Sequence, residues 1–578
     1  MINKIVKRDG REVSFDIKKI TDALSKAAVA EGEIDSRLPL EITVEVINHL
    51  EAKFPTGVLT VEDIQDMVEQ VLIEKGHTRV AKAYIIYRND RTRIREARSD
   101  LMDAVAEILV ETSKEDANVS NSPSAKMLQI ASAASKAYYL DRVIPSEMAK
   151  SHSRGDFHIH DLDFYGKTLT CVQIPLGKLL KSGFNNGHGF IRSPKRPGSA
   201  AALAAIILQS SQNDMHGGQS FAYFDRDMAP YVNDASEEET FQAMEALIYN
   251  LNSMHSRAGA QVPFSSLNLG VETDENARKI TRNVLLAYEK GLGHGENPIF
   301  PNIIFRVKEG INLNPEDPNY DLFQLALRVA AKRLNPTFSF MDSTFNSPFG
   351  TEVGYMGCRT RVMSNCCGPE ETDGRGNLSF TTINLPRLAI RAKGDLDQFF
   401  KNVDEMVELT IQQLLHRYKV QANLRVKDMP FLMGQKLYLD SDHLKMEDKI
   451  ETAIKHGSLS LGFIGLAETL AALTGKHHGE SVESNELGHR IVGYLRQLMD
   501  EAVEKYNLNF SLLATPAEGL SGRFVRMDQK EFGIIPGVTD KEYYTNSLHV
   551  PVGHPISMFE KMKIEGAYHK YANAGHIA

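Results

Sequence analysis

The run GYMGCRTRVMSNCCGPEETDGRGNLSFTTINLPR, residues 354–387, holds three of the four cysteines in the chain, Cys358, Cys366 and Cys367. Its first part carries Gly354, Gly357, Gly368, Gly374 and Gly376 with Pro369, residues that let a backbone turn tightly and reach angles closed to other side chains. Its second part, LSFTTI over 378–383, is β-branched and aromatic and predicts a strand leaving the loop for a core. Cys358 therefore stands near the tip of a tight loop. A single cysteine is commonly a small buried hydrophobe, but three in one glycine-rich loop point to sulfur chemistry.

Outward from this run, strand-like and helical patterns alternate. On the C-terminal side SLSLGFI (458–464) is strand-like and leads into a helix, with Gly462 and Gly465 permitting close approach. FSLLATPAEGLSGR (510–523) is an apolar run followed by Thr515-Pro516-Ala517-Glu518 opening a helix. Hydroxyl and N–H groups at a helix start suit an anion such as diphosphate, and Glu518 either joins that site or merely complements the helix dipole. On the N-terminal side come a capped amphipathic helix over 317–333, an apolar strand over 303–307, and a helix over 201–210 with a glycine stop at Gly217-Gly218. A further helix over 124–139 is opened by Ser122-Pro123. In RGDFHIHDLDFYGKTLTC (154–171), which ends on Cys171, His158 and His160 flank Ile159 and share one face of a strand. A histidine pair is an incomplete metal site, so substrate contact or polar packing is the alternative, and no metal is expected here. The alternation argues for an α/β architecture, a barrel among them.

Composition sets bounds on function. The 578 residues are 42% hydrophobic and 24% charged, with a formal net charge of −9, which disfavours a general nucleic-acid binder. The most apolar helical stretch, 200–208, is too short to span a bilayer, and the charged start Met1-Ile2-Asn3-Lys4 carries no signal-peptide pattern. Four cysteines without a repeating framework or a CxxC pair fit a reducing cytoplasm.

The amino terminus reads separately. KIVKRDGREVSFDIKKI (4–20) alternates about Asp9-Gly10, a hairpin signal. Helical patterns follow near 20–28, 40–52, 61–75 and 79–88. Lys7, Arg8, Lys18 and Lys19 lie together, either as a solvated face or as phosphate-binding charges. This segment, closing with AKAYIIYRNDR (81–91), resembles the ATP-cone, the nucleotide-sensing module of many ribonucleotide reductases. The resemblance implies that Lys7, Arg8 and Lys19 meet the phosphates of ATP or dATP as allosteric effectors, in a domain over 1–95.

From about residue 100 onward the chain resembles the large subunit of the anaerobic, glycyl-radical ribonucleotide reductases. The matches run in order through HIHDLD and Cys171, PNYDLFQLAL, YMGCR, DGRGNL with INLPR, SLGFIG, ATPAE and YTNSLHV. The resemblance implies, for 96–578, a ten-stranded α/β barrel of two half-barrels with a cysteine-bearing finger loop at its centre. By that likeness Cys358 carries a thiyl radical that abstracts the ribose 3′-hydrogen, Cys171 delivers hydrogen on the other face, and Asn377 lies beside the sugar or a small reductant. His158, His160, Ser379, Thr515 and Glu518 are expected to line or bind substrate. The match at Asn377 points to formate as reductant, whereas Cys366 and Cys367, a candidate redox pair with Met363 nearby, point to a thioredoxin-like dithiol partner; formate is put ahead.

The same resemblance implies ribonucleoside triphosphates as substrates, deoxynucleotide effectors with a second effector site at a dimer interface, a homodimer or higher oligomer, and a separate radical-SAM activating enzyme. The family continues past a segment like Tyr568–Ala578 into paired CxxC zinc ligands and a radical glycine, so glycyl radical and structural zinc are expected only outside these residues; Gly575 does not match the radical loop. Two other readings remain. One is a glycyl-radical enzyme of the pyruvate formate-lyase type, suggested by the adjacent Cys366-Cys367. The other is a catalytically incomplete nucleotide-binding regulator.

Overall fold

The structure, a computed structural model, describes residues 4–7, 12–32, 37–54, 59–110, 122–256, 261–349, 353–357, 360–362 and 364–573, without the side chains of 90–100. By contacts the chain divides into two compact units, Met1–Val110 and Glu111–Ala578.

In the first unit Lys4–Val6 pairs antiparallel with Glu12–Ser14 and parallel with Leu59–Thr60. The hairpin expected around Asp9-Gly10 therefore forms, although its turn, with Arg8, lies outside the described residues. Helices Lys18–Ala30, Leu38–Lys53, Val61–Glu74 and Thr78–Val110 follow. Thr60 Oγ1 accepts from the Asp63 amide at 3.2 Å while Asp63 accepts from the Thr60 amide at 2.9 Å, a reciprocal cap that stabilises the third helix by about 1 kcal/mol. The apolar faces close on Leu24, Val46, Leu50, Val68 and Val71. The fourth helix carries this unit past residue 95, with Arg88 held by Asp66 and Glu69.

The second unit contains two large sheets. One has the order Thr337–Phe340, Asn302–Val307, Ser265–Leu269, Gln219–Phe221, Val172–Gln173, all parallel. Parallel neighbours need crossovers, supplied by helices Glu237–Ser253, Glu275–Lys290 and Tyr320–Arg333. The other has the order Asn509–Ala514, Ser458–Ile464, Asn377–Asn384, Phe157–Ile159, the last antiparallel. Leu459, Leu461 and Phe463 are buried and alternate with Ser458, Ser460 and Gly462, so each strand shows opposite chemistry to its two sides. The sheets meet where Cys171 and Gln173 donate backbone N–H groups to Asn377 and Arg375, at 3.0 and 2.8 Å. Among the described residues these two sheets hold nine strands, five and four, against the ten expected, an arrangement consistent with two half-barrels.

Gly354–Met356 pairs antiparallel with Thr360–Val362, the two arms of a hairpin. Composition alone predicted only a loop there, because these short strands are held by side chains from elsewhere. Ser220 Oγ and Asn268 Nδ2 donate to the Tyr355 carbonyl at 2.8 and 2.9 Å, and Gly357 N donates to Ser266 Oγ at 3.1 Å. On the opposite side Arg361 N donates to the Asn573 carbonyl, and Asn573 N to Leu512 of the four-stranded sheet. The hairpin is thereby gripped between both sheets, as a finger.

Two expectations change. The amphipathic helix begins at Tyr320 rather than 317, and Asn319, instead of capping it, sends its buried amide to the Gly270 and Glu272 carbonyls. The helix before Gly217-Gly218 spans Pro197–Ser211, so the two glycines are not its stop and serve the site described next. Among the described residues no helix is long and apolar enough to cross a membrane.

Candidate active site

Three glycines bring the finger to Cys171. A Cβ on Gly376 would collide with the Cys171 carbonyl, and one on Gly217 would stand 3.0 Å from Cys171 Sγ. A Cβ on Gly218 would lie 2.7 Å from Gly357 Cα, so the finger passes over Gly218 with no side chain between. The Gly218 amide donates to Cys171 Sγ at 3.3 Å. Cys171, Gly218 and Gly357 thus converge. Gly357 itself has φ of +50°, a left-handed turn that suits glycine. Cys358, the next residue, lies outside the described residues.

Asn377 sits immediately beside this point, because its carbonyl accepts from Cys171 N. Its Nδ2 donates to Ser458 Oγ and Ser460 Oγ at 3.1 and 2.9 Å, and Ser460 Oγ pairs with Ser511 Oγ at 2.8 Å. Its Oδ1 is buried without a partner among the described residues, as are both amide atoms of Gln173 and the hydroxyl of Tyr438. A buried polar group left unpaired costs about 1–3 kcal/mol, so such atoms around one thiol are those a polar ligand would satisfy. Burial first, and the Cys171 thiol second, push the Tyr438 phenol upward.

A second group lies at the other end of the same strand. Five residues separate Asn377 from Thr382, roughly 16 Å at strand rise. There His160 Nε2 meets Thr382 Oγ1 at 2.8 Å, and Thr382 Oγ1 meets Thr515 Oγ1 at 2.9 Å. Gly462 makes room, since a Cβ would collide with both threonine hydroxyls. The His158 and His160 rings are 4.7 Å apart and His152 is 5.1 Å from His158. Arg523 Nη1 donates to His158 Nδ1 at 3.1 Å. Burial is the largest cause lowering all three imidazoles, His152 to about 3, His160 to about 4 and His158 well below its ordinary value. The cluster is therefore neutral at pH 7, with Arg523 as its fixed cation.

The remaining predicted residues separate from these groups. A bulge between Asn377 and Ser379 resets the strand's alternation. Ser379 thus shares a side with Thr381, whose hydroxyl meets Gln413 of helix Leu396–Ala422, while Phe380 stacks on His160 at 4.0 Å. Ser379 does not join the histidine face; Thr382 does. Glu518 is exposed at the cap of helix Gly519–Phe532 with φ of +46°, whereas Thr515 is buried. Cys366 and Cys367 lie side by side with sulfurs 3.5 Å apart. Lys7 is half-buried and Lys19 exposed in the first unit, while Arg8 lies outside the described residues.

Several functional residues escaped sequence reading. Ser220, Ser266 and Asn268, which hold the finger, carry a weak signal: polar residues at alternate positions of fully buried strands. Arg523 and Tyr438 carry none. The INLPR motif proves structural, with buried Arg387 on Asp528 and Asp156 at 2.6 and 3.0 Å. His477, Glu480 and His554 also come together, the first two at 3.6 Å. However, the Gly479 amide donates into His477 Nδ1, which leaves the proton of the neutral ring on Nε2, facing Glu480.

Comparison with known proteins supplies the family context. A family described as anaerobic ribonucleoside-triphosphate reductase matches residues 115–578, and one described as ATP cone domain matches 3–93. The chain is 32% identical to the anaerobic ribonucleoside-triphosphate reductase of Salmonella typhimurium, over 100% of this chain and 85% of that protein. The Escherichia coli K12 protein of the same description gives the same figures, and that of Enterobacteria phage T4 is 34% identical over 75% and 76% of the two chains. In fold, the anaerobic ribonucleotide reductase from Thermotoga maritima with dATP bound in the specificity site superposes with a TM-score of 0.64, at 15% identity, over 83% of this chain and 86% of that one.

Proposed function

Because the chain belongs to the anaerobic ribonucleoside-triphosphate reductases and carries an ATP cone, we propose that its chemistry is divided between Cys358, Cys171 and Asn377. The protein reduces ribonucleoside triphosphates to deoxyribonucleoside triphosphates under allosteric control by nucleotides. Cys358 on the finger takes the 3′-hydrogen of the ribose as a sulfur-centred radical, and Cys171 returns hydrogen after the 2′-hydroxyl leaves as water. The observation that carries this reading is the approach of Gly357 to Gly218, whose amide donates to Cys171 Sγ at 3.3 Å. A glycyl radical, made by a radical-SAM activating enzyme, would supply the oxidising equivalent. Asn377, with Oδ1 unpaired in a buried site, orients the ribose hydroxyls or the reductant.

The histidine end serves the phosphates. Arg523, three neutral imidazoles and the Thr515 hydroxyl beside the helix start at Gly519 support an anion there. Neutral histidines can donate hydrogen bonds to phosphate oxygen without losing a proton to it. ATP and dATP bind the first unit at Lys7, Arg8 and Lys19.

Formate is the reductant in this reading: ribonucleoside triphosphate, formate and a proton give deoxyribonucleoside triphosphate, carbon dioxide and water. The test is turnover of activated enzyme with isotopically labelled formate as sole reductant. One labelled carbon dioxide per deoxynucleotide is expected, and strict dependence on a dithiol protein would overturn the assignment.

A further inference from the structure

The adjacent thiols Cys366 and Cys367 remain unused by this chemistry. Their sulfurs are 3.5 Å apart, and the backbone N–H of each is held: Cys366 N donates to Asn509 Oδ1 at 2.9 Å and Cys367 N to Asn365 Oδ1 at 3.1 Å. Asn509 Nδ2 in turn donates to Asn365 Oδ1 at 3.1 Å, so the two clamps support each other. The Cys366 side chain is exposed and lines a cavity of about 370 Å³ whose wall carries both signs of charge, with Arg361 and Arg375 beside Glu370 and Asp500. Cys367 is half-buried, and its thiol donates to the Asn507 carbonyl at 3.3 Å.

We propose that Cys366 and Cys367 form a reversible dithiol–disulfide site that reacts with small-molecule disulfides. The two sulfurs are unequal in a way that sets the order of reaction. Cys366 is open to solvent, whereas burial first and Cys366 second push the Cys367 thiol up to about 12, so Cys366 meets the incoming disulfide and Cys367 keeps its proton. The Cys366 thiolate attacks one sulfur of the incoming disulfide, forms a mixed disulfide and releases the other half as a thiolate, which takes up a proton. Cys367 then loses its proton and attacks Cys366 Sγ, forming the Cys366–Cys367 bond and releasing the second half as thiol. The two cysteines are oxidised by two electrons, and the small disulfide is reduced to two thiols.

Geometry makes this bond labile. Neighbouring Cα atoms are about 3.8 Å apart across a trans peptide, below the roughly 4.4–6.8 Å of ordinary disulfides, and such deviation makes the bond easier to reduce. The site is therefore a dithiol in a reducing compartment and closes only under oxidation.

The test uses the anaerobically reduced whole enzyme, excess oxidised glutathione, alkylation, proteolysis and mass spectrometry, none of which depends on turnover. The wild-type peptide spanning residues 366 and 367 is expected to lose two hydrogens, retain no glutathione, and be restored by dithiothreitol. Cys367→Ser is expected to stop at Cys366 carrying one glutathione, with nucleotide binding retained as the check on folding. Glutathione persisting on the wild-type pair, or both thiols remaining alkylatable where Cys171 is already oxidised, overturns the proposal.

Discussion

The approach of the finger to the five-stranded sheet rests on one absent side chain, and Gly218→Ala probes it directly. The added Cβ would stand 2.7 Å from Gly357 Cα and 3.0 Å from both Gly357 N and Phe264 Cδ1. Ordinary carbon–carbon contact is about 3.5–4.0 Å, so the finger must retreat by roughly 1 Å. Its nearest neighbour is backbone, which cannot rotate aside, and Ser266 Oγ holds the same residue at 3.1 Å. A displacement of about 1 Å between reacting groups costs on the order of 100-fold in rate, or about 3 kcal/mol of barrier. Overpacking itself destabilises by about 1–3 kcal/mol. The assay is anaerobic steady-state turnover of the activated enzyme, with a thermal melt and equilibrium binding of substrate and effector alongside. The expected result is a kcat lower by about two decades, with nucleotide affinity retained and a modest drop in Tm. An unchanged kcat in a folded variant would refute the claim that finger and Cys171 meet at Gly218.

Other consequences are open to measurement. Arg387→Met removes the cation paired with buried Asp528, which keeps only the neutral donors Asn384 and Tyr544, while Asp156 retains Arg154 and Arg391; it should cost about 3–5 kcal/mol in chemical denaturation, and a loss below 1 kcal/mol, the scale of an exposed pair, would discredit the buried network. His152 and His160 have folded-state values near 3 and 4 against about 6.5 unfolded, so the unfolded chain binds more protons and stability falls as pH drops from about 6.5 towards 4. Asp214, raised by burial to about 6, works the other way below that pH, so the sharper measurement is the variant: His152→Gln should narrow the difference in denaturation midpoint between pH 7 and pH 5, and an unchanged difference would argue against neutral burial. In the cone, replacing Lys7 and Lys19 together by alanine should raise the dATP concentration for half-inhibition on the order of tenfold, the loss of about 1.5 kcal/mol of charge-assisted bonding; unaltered inhibition would move the effector site elsewhere.

What the sequence determined by itself is what local chemistry and residue order can carry. The strand over 458–464 and the pairing of Lys4–Val6 with Glu12–Ser14 form as the residue patterns predict, because each pattern is carried by neighbours in the chain. The ordered motifs identified the family, and with it Cys171, Cys358 and Asn377 as residues to examine. Tertiary structure alone decided which polar residues meet. The bulge beside Asn377 turned Ser379 towards a helix and brought Thr382 to the histidines, a change of register that no composition records. Arg523 reaches His158 across 365 positions of chain, and Ser220, Ser266 and Asn268 grip a hairpin roughly a hundred residues away. Gly217 and Gly218 read as a helix stop, yet their missing side chains are needed where Cys171 and the finger pass within contact distance. Close packing between distant segments creates that demand, and it leaves no periodic trace in the residues that satisfy it.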